Sequence, residues 1–320
     1  MSGRILILGA AGRLGRAAAE AFRDAGWSVD SQVRARSARN VAAGTRPVEI
    51  DANDAPSIVE AANGADVVLH ALNPPYPQWP QLTPHFAEAA IGAARAAGAT
   101  LMFAGNLYNY GAPLPAAIDE TTPMRPTTRK GRLRLEIEQK MRAAADDGVR
   151  TIVVRAGDFY GGGGTGSWFD RMIVKNARAG RLTYPGPLDR VHEWAYLPDL
   201  AAAFVRLAAI RATLPAFAAF GFSGHAVTGG ELVDTISRVL AQPMGTAGLP
   251  WPVLRLLGPF VPIFRELTEM SYFWHQPHRI DGTRLKAAIG TLPATPFPAA
   301  VSAALDHLGL LKAGAAARRR

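Results

Sequence analysis

The first half of the chain alternates short runs of apolar and β-branched residues with longer alanine-rich stretches. The short runs, which predict strands, fall at Arg4–Leu8, Ser28–Val33, Pro47–Ile50, Ala65–His70, Thr100–Phe103 and Thr151–Val154. Each leads into a predicted helix or a loop before one. Such alternation predicts parallel βαβ units, because strands running the same way need a crossover long enough to hold a helix. One helix shows its own ends. Thr83 with Pro84 predicts an N-cap and first-turn proline, Gly98 predicts the stop, and Ala89, Ala90, Ala93, Ala94 and Ala97 form a close-packing face between them.

Between the first strand and the first helix stands Gly9-Ala-Ala-Gly12-Arg13-Leu14-Gly15. A glycine triplet alone is weak, but here it follows a strand and opens a helix with Leu14 and Phe22 inward, which is the context a dinucleotide site requires. The first glycine permits a tight turn, the second lets backbone approach a pyrophosphate, and the third lets helix and strand pack closely. The helix N-terminus then faces the phosphates. The second strand ends without the carboxylate that would hold ribose hydroxyls. It ends instead on Val33-Arg34-Ala35-Arg36, so NADP(H) is the expected cofactor, with Arg34, Arg36 and Arg13 available to a 2′-phosphate. Asp51-Ala52-Asn53-Asp54 offers a carboxylate near the adenine amino group, or a helix cap at Asp54.

The regular alternation fades after Arg155. Gly161–Gly164 with Gly166 predicts a flexible crossing, which divides the chain into a nucleotide-binding domain over 1–160, a smaller substrate-binding region over 161–312 and a flexible basic tail over 313–320. Val191–Tyr196, followed by Pro198, Asp199 and a helix through Ala209, predicts a return to the sheet, so the two domains interleave near 190–225. The fold class is therefore α/β, a Rossmann-type doubly wound parallel sheet with a C-terminal substrate-binding domain. Prolines 250, 252, 259 and 262 break the longest apolar region, Leu249–Trp274, too often for a spanning helix of about 20 residues. No membrane partner is expected. Trp251, Leu254, Leu257, Phe260, Phe264, Tyr272, Phe273 and Trp274 of this region either line an apolar substrate site or pack an ordinary core.

Composition changes this picture little. A chain of 320 residues, 48% hydrophobic and 19% charged, belongs to the globular range. The formal charge of +9 comes from scattered residues and the terminal run Arg318–Arg320, without a helix-turn-helix or zinc module, so no nucleic-acid partner is expected. The absence of cysteine excludes disulfides, thiolate metal sites and a cysteine nucleophile. His275 and His278 lack an acidic partner at ligand spacing, and no metal is expected. The short apolar stretch Ile5–Leu8 runs straight into glycines, so a cytoplasmic location is expected.

Together the glycine loop, Asp51–Asp54, His70-Ala71-Leu72-Asn73, Tyr110-Gly111, Arg155-Ala156-Gly157-Asp158-Phe159-Tyr160-Gly161 and Tyr196-Leu-Pro-Asp199 resemble the extended short-chain dehydrogenase/reductases, the NAD-dependent epimerase/dehydratase family. The match covers roughly residues 4–240. The resemblance implies cofactor contacts from Ala71, Leu72, Asn73, Lys130 and the Ala156–Phe159 backbone. It also implies a homodimer through the Thr83–Ala97 and Lys130–Ala145 helices.

The family's Tyr-x-x-x-Lys pair is missing: none of the seven tyrosines has lysine four residues later. Aligned through Glu138, Lys130 takes the tyrosine position and Arg134 the lysine position, while Asn106 falls where the family has Ser or Thr. The arrangement is similar to the isoflavone-reductase-like group, in which a lysine near this point is the acid/base. Lys130 would serve if burial and Arg134 made its ammonium ready to give up a proton, with Asn106 donating to the substrate oxygen and Tyr108 as the spare proton donor; alternatively Lys130 is an exposed helix-start residue and Asn106 a loop cap. Tyr110 is expected to support its turn, and His192 and Glu193 to be structural. The leading expectation is NADP(H)-dependent hydride transfer to a small, rather apolar organic substrate. A dinucleotide-sensing protein without chemistry and a sugar-nucleotide epimerase or dehydratase are the alternatives.

Overall fold

The computed structural model describes residues 3–164 and 166–311; the basic tail read from the sequence lies outside them. The strands are β1 (Arg4–Leu8), β2 (Ser28–Val33), β3 (Arg46–Glu49), β4 (Val67–His70), β5 (Thr100–Gly105), β6 (Ala117–Ile118), β7 (Thr151–Arg155), β8 (Asp158–Tyr160), β9 (Arg181–Tyr184), β10 (Val191–Tyr196), β11 (Phe217–Gly221), β12 (His225–Thr228), β13 (Gly245–Gly248) and β14 (Arg279–Ile280). The helices are α1 (Arg13–Asp24), α2 (Ala55–Ala61), α3 (Trp79–Ala97), α4 (Arg129–Asp146), α5 (Leu197–Ala209), α6 (Gly229–Leu240), α7 (Trp251–Leu257), α8 (Pro262–Thr268), α9 (Ser271–His275), α10 (Thr283–Ile289) and α11 (Phe297–His307).

A parallel seven-stranded sheet in the order β11-β7-β5-β4-β1-β2-β3 forms the centre. Its inner strands are buried on both sides, and their alternation sorts them into two cores. Ile5, Ile7, Val67, Leu69, Met102, Ile152 and Val154 face α1 and α5. Leu6, Leu8, Val68, Leu101, Phe103 and Val153 face α2, α3 and α4. A sheet covered on both faces needs nearly continuous apolar strands, which is why the runs of β1, β4, β5 and β7 are so apolar, whereas β2 and the edge strand β3 carry polar residues.

Two expected features differ. α3 begins a turn earlier, at Trp79 with Pro80 beside it, and carries Pro84 inside; Thr83 donates to the Trp79 carbonyl. Trp79 is buried and its indole donates to the Pro74 carbonyl at 2.9 Å, so tertiary packing outweighs the local cap signal. Gly98 does end the helix, in the left-handed conformation at φ 62°. Val191–Tyr196 is a strand, but it joins a separate sheet of order β12-β10-β8. The strand that returns to the main sheet is β11, paired with β7, after α5 has packed across α1. A third core, including Tyr160, Phe169, Trp194, Ile236, Trp251 and Trp274, joins α6, α7 and α11 to the minor sheet.

Candidate dinucleotide and active site

The carboxyl ends of β1 and β4 meet where the strand order reverses, the place at which open parallel sheets bind ligands. Gly9 has φ 84°, and a Cβ there would lie 3.0 Å from the Leu72 nitrogen and 3.1 Å from the Ala71 carbonyl carbon. The backbone must approach closely here. A Cβ on Gly15 would press into the Gly9 carbonyl and lie 2.8 Å from the Ala10 Cα, so the third glycine sets how tightly α1 meets β1. Gly12 caps α1 without any side-chain acceptor, leaving the first-turn N–H groups free to face an anion. These features fit a dinucleotide pyrophosphate. Gln32, which carries no signal in the sequence, fixes the turn from beneath: its Oε1 accepts from Gly9 N at 2.9 Å and its Nε2 donates to the Ile50 carbonyl at 2.6 Å.

Arg34 and Arg36 are exposed just past β2, and Asp51 and Ala52 follow β3 beside them. Asp54 caps α2 by accepting from Ser57 N at 3.2 Å, the second of the two roles its sequence allowed. Arg13 requires correction. It donates to the Gly161 carbonyl at 2.8 Å and pairs with Asp170 at 3.1 Å, with only 12% of its side chain exposed. It ties the 161–170 segment to the glycine loop and does not reach toward a 2′-phosphate.

At the substrate end, the loops after β4, β5 and β7 converge. Tyr76 and Tyr108 share a hydrogen bond at 3.1 Å. Tyr108 packs edge-on against Phe273, which lies 4.3 Å from the His278 ring, and His278 meets His192 at 4.6 Å. His192 Nε2 and Asp158 Oδ2 are 2.9 Å apart. The Trp274 ring stacks on His192 at 4.3 Å. Asp158 keeps 12% of its side chain accessible.

This apolar wall changes the protonation of everything in it. Burial, slightly relieved by His278, pushes the Asp158 carboxyl up to about 7. Burial pulls His192 down to about 3, and pulls His278 down to about 3 with help from His192. Burial also lifts Tyr76 to about 12 and Tyr108 well above the ordinary phenol value. Near neutrality these imidazoles and phenols are uncharged, and within this cluster Asp158 is the group that can hold or release a proton; Glu193, which burial also pushes up to about 7, is engaged by the Gly224 and Ile280 N–H groups.

Lys130 is buried, but it presents no free ammonium. Its Nζ pairs with Glu266 and with Glu269 Oε2, the latter at 2.7 Å, and lies 5.1 Å from the centroid of the Tyr76 ring. Glu269 also accepts the Lys130 backbone N–H at 3.0 Å, and Arg129 pairs with both carboxylates. The two acids therefore clamp the start of α4. Arg134 does not tune Lys130: it donates to the Ala104 carbonyl at 2.7 Å and lies over Phe103 and Trp79 at 4.6 and 5.7 Å. Asn106 acts as a loop cap, its Oδ1 accepting from Tyr108 N at 3.1 Å. Tyr110 supports its turn, near Arg155 and the Asp119 carbonyl. Glu193 is structural, accepting from Gly224 N at 2.7 Å and Ile280 N at 2.9 Å. Ala156, Gly157 and Phe159 follow β7 as expected; a Cβ on Gly157 would meet the Glu193 carbonyl carbon at 2.6 Å.

Tyr76, Glu266 and Glu269 were missed from sequence. Tyr76 follows directly on the His70–Asn73 motif. Glu266 and Glu269, the only acids in Leu249–Trp274, stand at i,i+3 in an apolar setting, a spacing and context that signal buried partners for cations.

Comparison with known proteins fits this geometry. Residues 5–216 match the model of the NAD dependent epimerase/dehydratase family. A 3-diazoavenalumate denitrifying reductase from Streptomyces is 28% identical over 226 residues, covering 66% of this chain and 73% of that protein. Among solved structures, the UDP-N-acetylglucosamine 4-epimerase of Bacillus cereus superposes with a TM-score of 0.74 at 16% identity, covering 96% of this chain and 99% of the other. MoeE5 in complex with UDP-glucuronic acid and NAD gives 0.75 at 19% identity, with coverage of 96% and 99%. The dTDP-glucose 4,6-dehydratase of Bacillus anthracis in complex with NAD gives 0.76 at 13% identity, with coverage of 96% of both chains. The chain belongs to the NAD dependent epimerase/dehydratase family.

Proposed function

We propose that this protein is an NADP(H)-dependent oxidoreductase that reduces a small, rather apolar organic molecule, using Asp158 where its family uses a tyrosine. The observation that carries the reading is the Asp158–His192 pair at 2.9 Å, set in an aromatic wall beside Tyr76 and Tyr108 at the carboxyl ends of the strands. A bound nicotinamide supplies the hydride. The chain itself must supply a proton or hold developing charge, and general acids work best when their pKa lies near the working pH. Asp158, at about 7, meets that condition. Neutral His192 holds the carboxyl in place, while Tyr76 and Tyr108, kept protonated, donate hydrogen bonds to a substrate oxygen or nitrogen. Phe273 and Trp274, buried against Tyr108, His278 and His192, keep the surroundings of this pair apolar, which supports an apolar substrate. That one relative is by name a reductase supports reduction over sugar-nucleotide epimerisation.

Arg34 and Arg36, exposed past β2, a strand that ends without a carboxylate of its own, support NADP(H) over NAD(H). Calorimetry is expected to show NADPH binding tighter than NADH by about ten- to a hundredfold, since a charge-assisted contact is worth about 1.5–3 kcal/mol, and Arg34→Ala should remove most of that difference. Equal affinities would overturn the cofactor assignment. Tight NADPH binding with no oxidation by any apolar carbonyl or diazo compound would favour a dinucleotide sensor.

A further inference from the structure

Large apolar side chains are seldom left in water together, yet five of them are exposed within one short stretch here. Val253 is 51% exposed, Leu256 74%, Leu257 39%, Phe260 82% and Ile263 41%. They lie on α7, α8 and the turn between them, where Pro252, Pro259 and Pro262 are exposed as well. The sequence allowed Leu257 and Phe260 to be substrate lining or core, and they are neither. Inner residues of the same segment, Trp251 and Leu254, do reach the third core, so the hairpin is anchored while its outer face is bare.

From this tip we infer that the α7–α8 hairpin docks on an anionic lipid surface, lying in the headgroup region without crossing the bilayer. Two features favour that occupant. The patch projects: a phenylalanine 82% exposed stands clear of its neighbours, which suits insertion among acyl chains better than a flat subunit face. Its exposed charges between residues 250 and 265 are both positive, Arg255 and Arg265, the second also pairing at 3.3 Å with the buried Glu266, and positive charge is what interfacial segments that bind anionic lipid carry. Among the described residues no helix is long and apolar enough to cross a membrane. The expectation of no membrane partner rested on spanning length, which does not bear on surface contact. The inference is independent of the reaction proposed above.

Co-sedimentation of the full chain with vesicles of phosphatidylcholine alone, and of phosphatidylcholine mixed with phosphatidylglycerol, tests it. The protein should sediment with the mixed vesicles and much less with the neutral ones. Leu256→Ser/Phe260→Ser should cut the bound fraction about tenfold or more, from the apolar burial lost, while leaving the thermal melt unchanged because both side chains face solvent. Arg255→Gln should reduce the preference for the anionic vesicles. Absence of binding to either vesicle, or equal binding by the double serine variant, would overturn the inference. So would light scattering that shows a dimer in the parent protein and a monomer in that variant, since the patch would then join two copies of this chain.

Discussion

The two ends of the crevice are built by different physics. At the dinucleotide end the loop is set chiefly by volume: Gly9, Gly12 and Gly15 act by lacking a Cβ, and the first-turn N–H groups of α1 supply the polarity, with Gln32 bracing the turn from beneath. At the substrate end almost everything depends on ionisable side chains taken out of water, with Asp158, His192, His278, Lys130, Glu266 and Glu269 packed among aromatic rings. The glycine loop of the first end is limited by volume. The second tolerates small changes in volume but not in charge.

The largest effect should come from charge at the substrate end. Asp158→Asn keeps shape and hydrogen bonding but cannot exchange a proton, so turnover should fall by about 10²–10⁴-fold with NADPH affinity retained. The apparent pKa near 7 should also vanish from the kcat profile. Full turnover in this variant would remove Asp158 from the chemistry and return attention to Tyr108.

Lys130→Met separates the same end from a purely catalytic account. Removing the ammonium leaves Glu266 and Glu269 buried without their main partner, and breaking such a cluster costs about 3–5 kcal/mol. Denaturant unfolding should show that loss, and Lys130→Met/Glu266→Gln should recover part of it. Unchanged stability with lost turnover would instead support Lys130 as the acid.

Volume is the corresponding probe of the dinucleotide end. Gly15→Ala forces a methyl against the Gly9 carbonyl and 2.8 Å from Ala10 Cα, and overpacking of this kind costs about 1–3 kcal/mol. Gly12→Ala meets only the Gly9 carbonyl, at 3.1 Å, and should cost less. Calorimetric NADPH affinity should fall in that order, and equal losses would show that contact with the ligand, and not helix–strand packing, sets the requirement.

The same contrast explains what was legible in the sequence. β1 and β2 match their predicted bounds because apolar runs and glycines encode local geometry, and Gly9 advertises its conformation by being glycine. Glu138 gave the register of α4, where it anchors Arg155 at 2.8 Å. The substrate end was opaque because its partners are remote: 136 residues separate Lys130 from Glu266, and 34 separate Asp158 from His192. Local pattern cannot pair them. Arg13 was misassigned for the same reason, since Asp170 and Gly161 claim it across the fold.

The smallest effect is thermodynamic and reads the substrate end directly. Asp158 ordinarily titrates near 3.8 and is raised to about 7 in the fold. A group raised on folding contributes stability that is whole below its unfolded value and lost as pH climbs through the folded one. His192 and His278 go the other way, from 6.5 down to about 3, so their contribution is whole above 6.5 and lost as pH falls toward 3. The two trends oppose each other in the parent protein and hide one another. Asp158→Asn removes one of them. Urea unfolding should show the variant equal to the parent near pH 4 and more stable by about 1–3 kcal/mol near pH 8. His192→Gln should show the opposite slope, gaining on the parent as the solution is acidified below 6.5. A pH-independent difference for Asp158→Asn would mean that the carboxylate ionises as readily in the crevice as in water, and its place as the proton donor would fall with it.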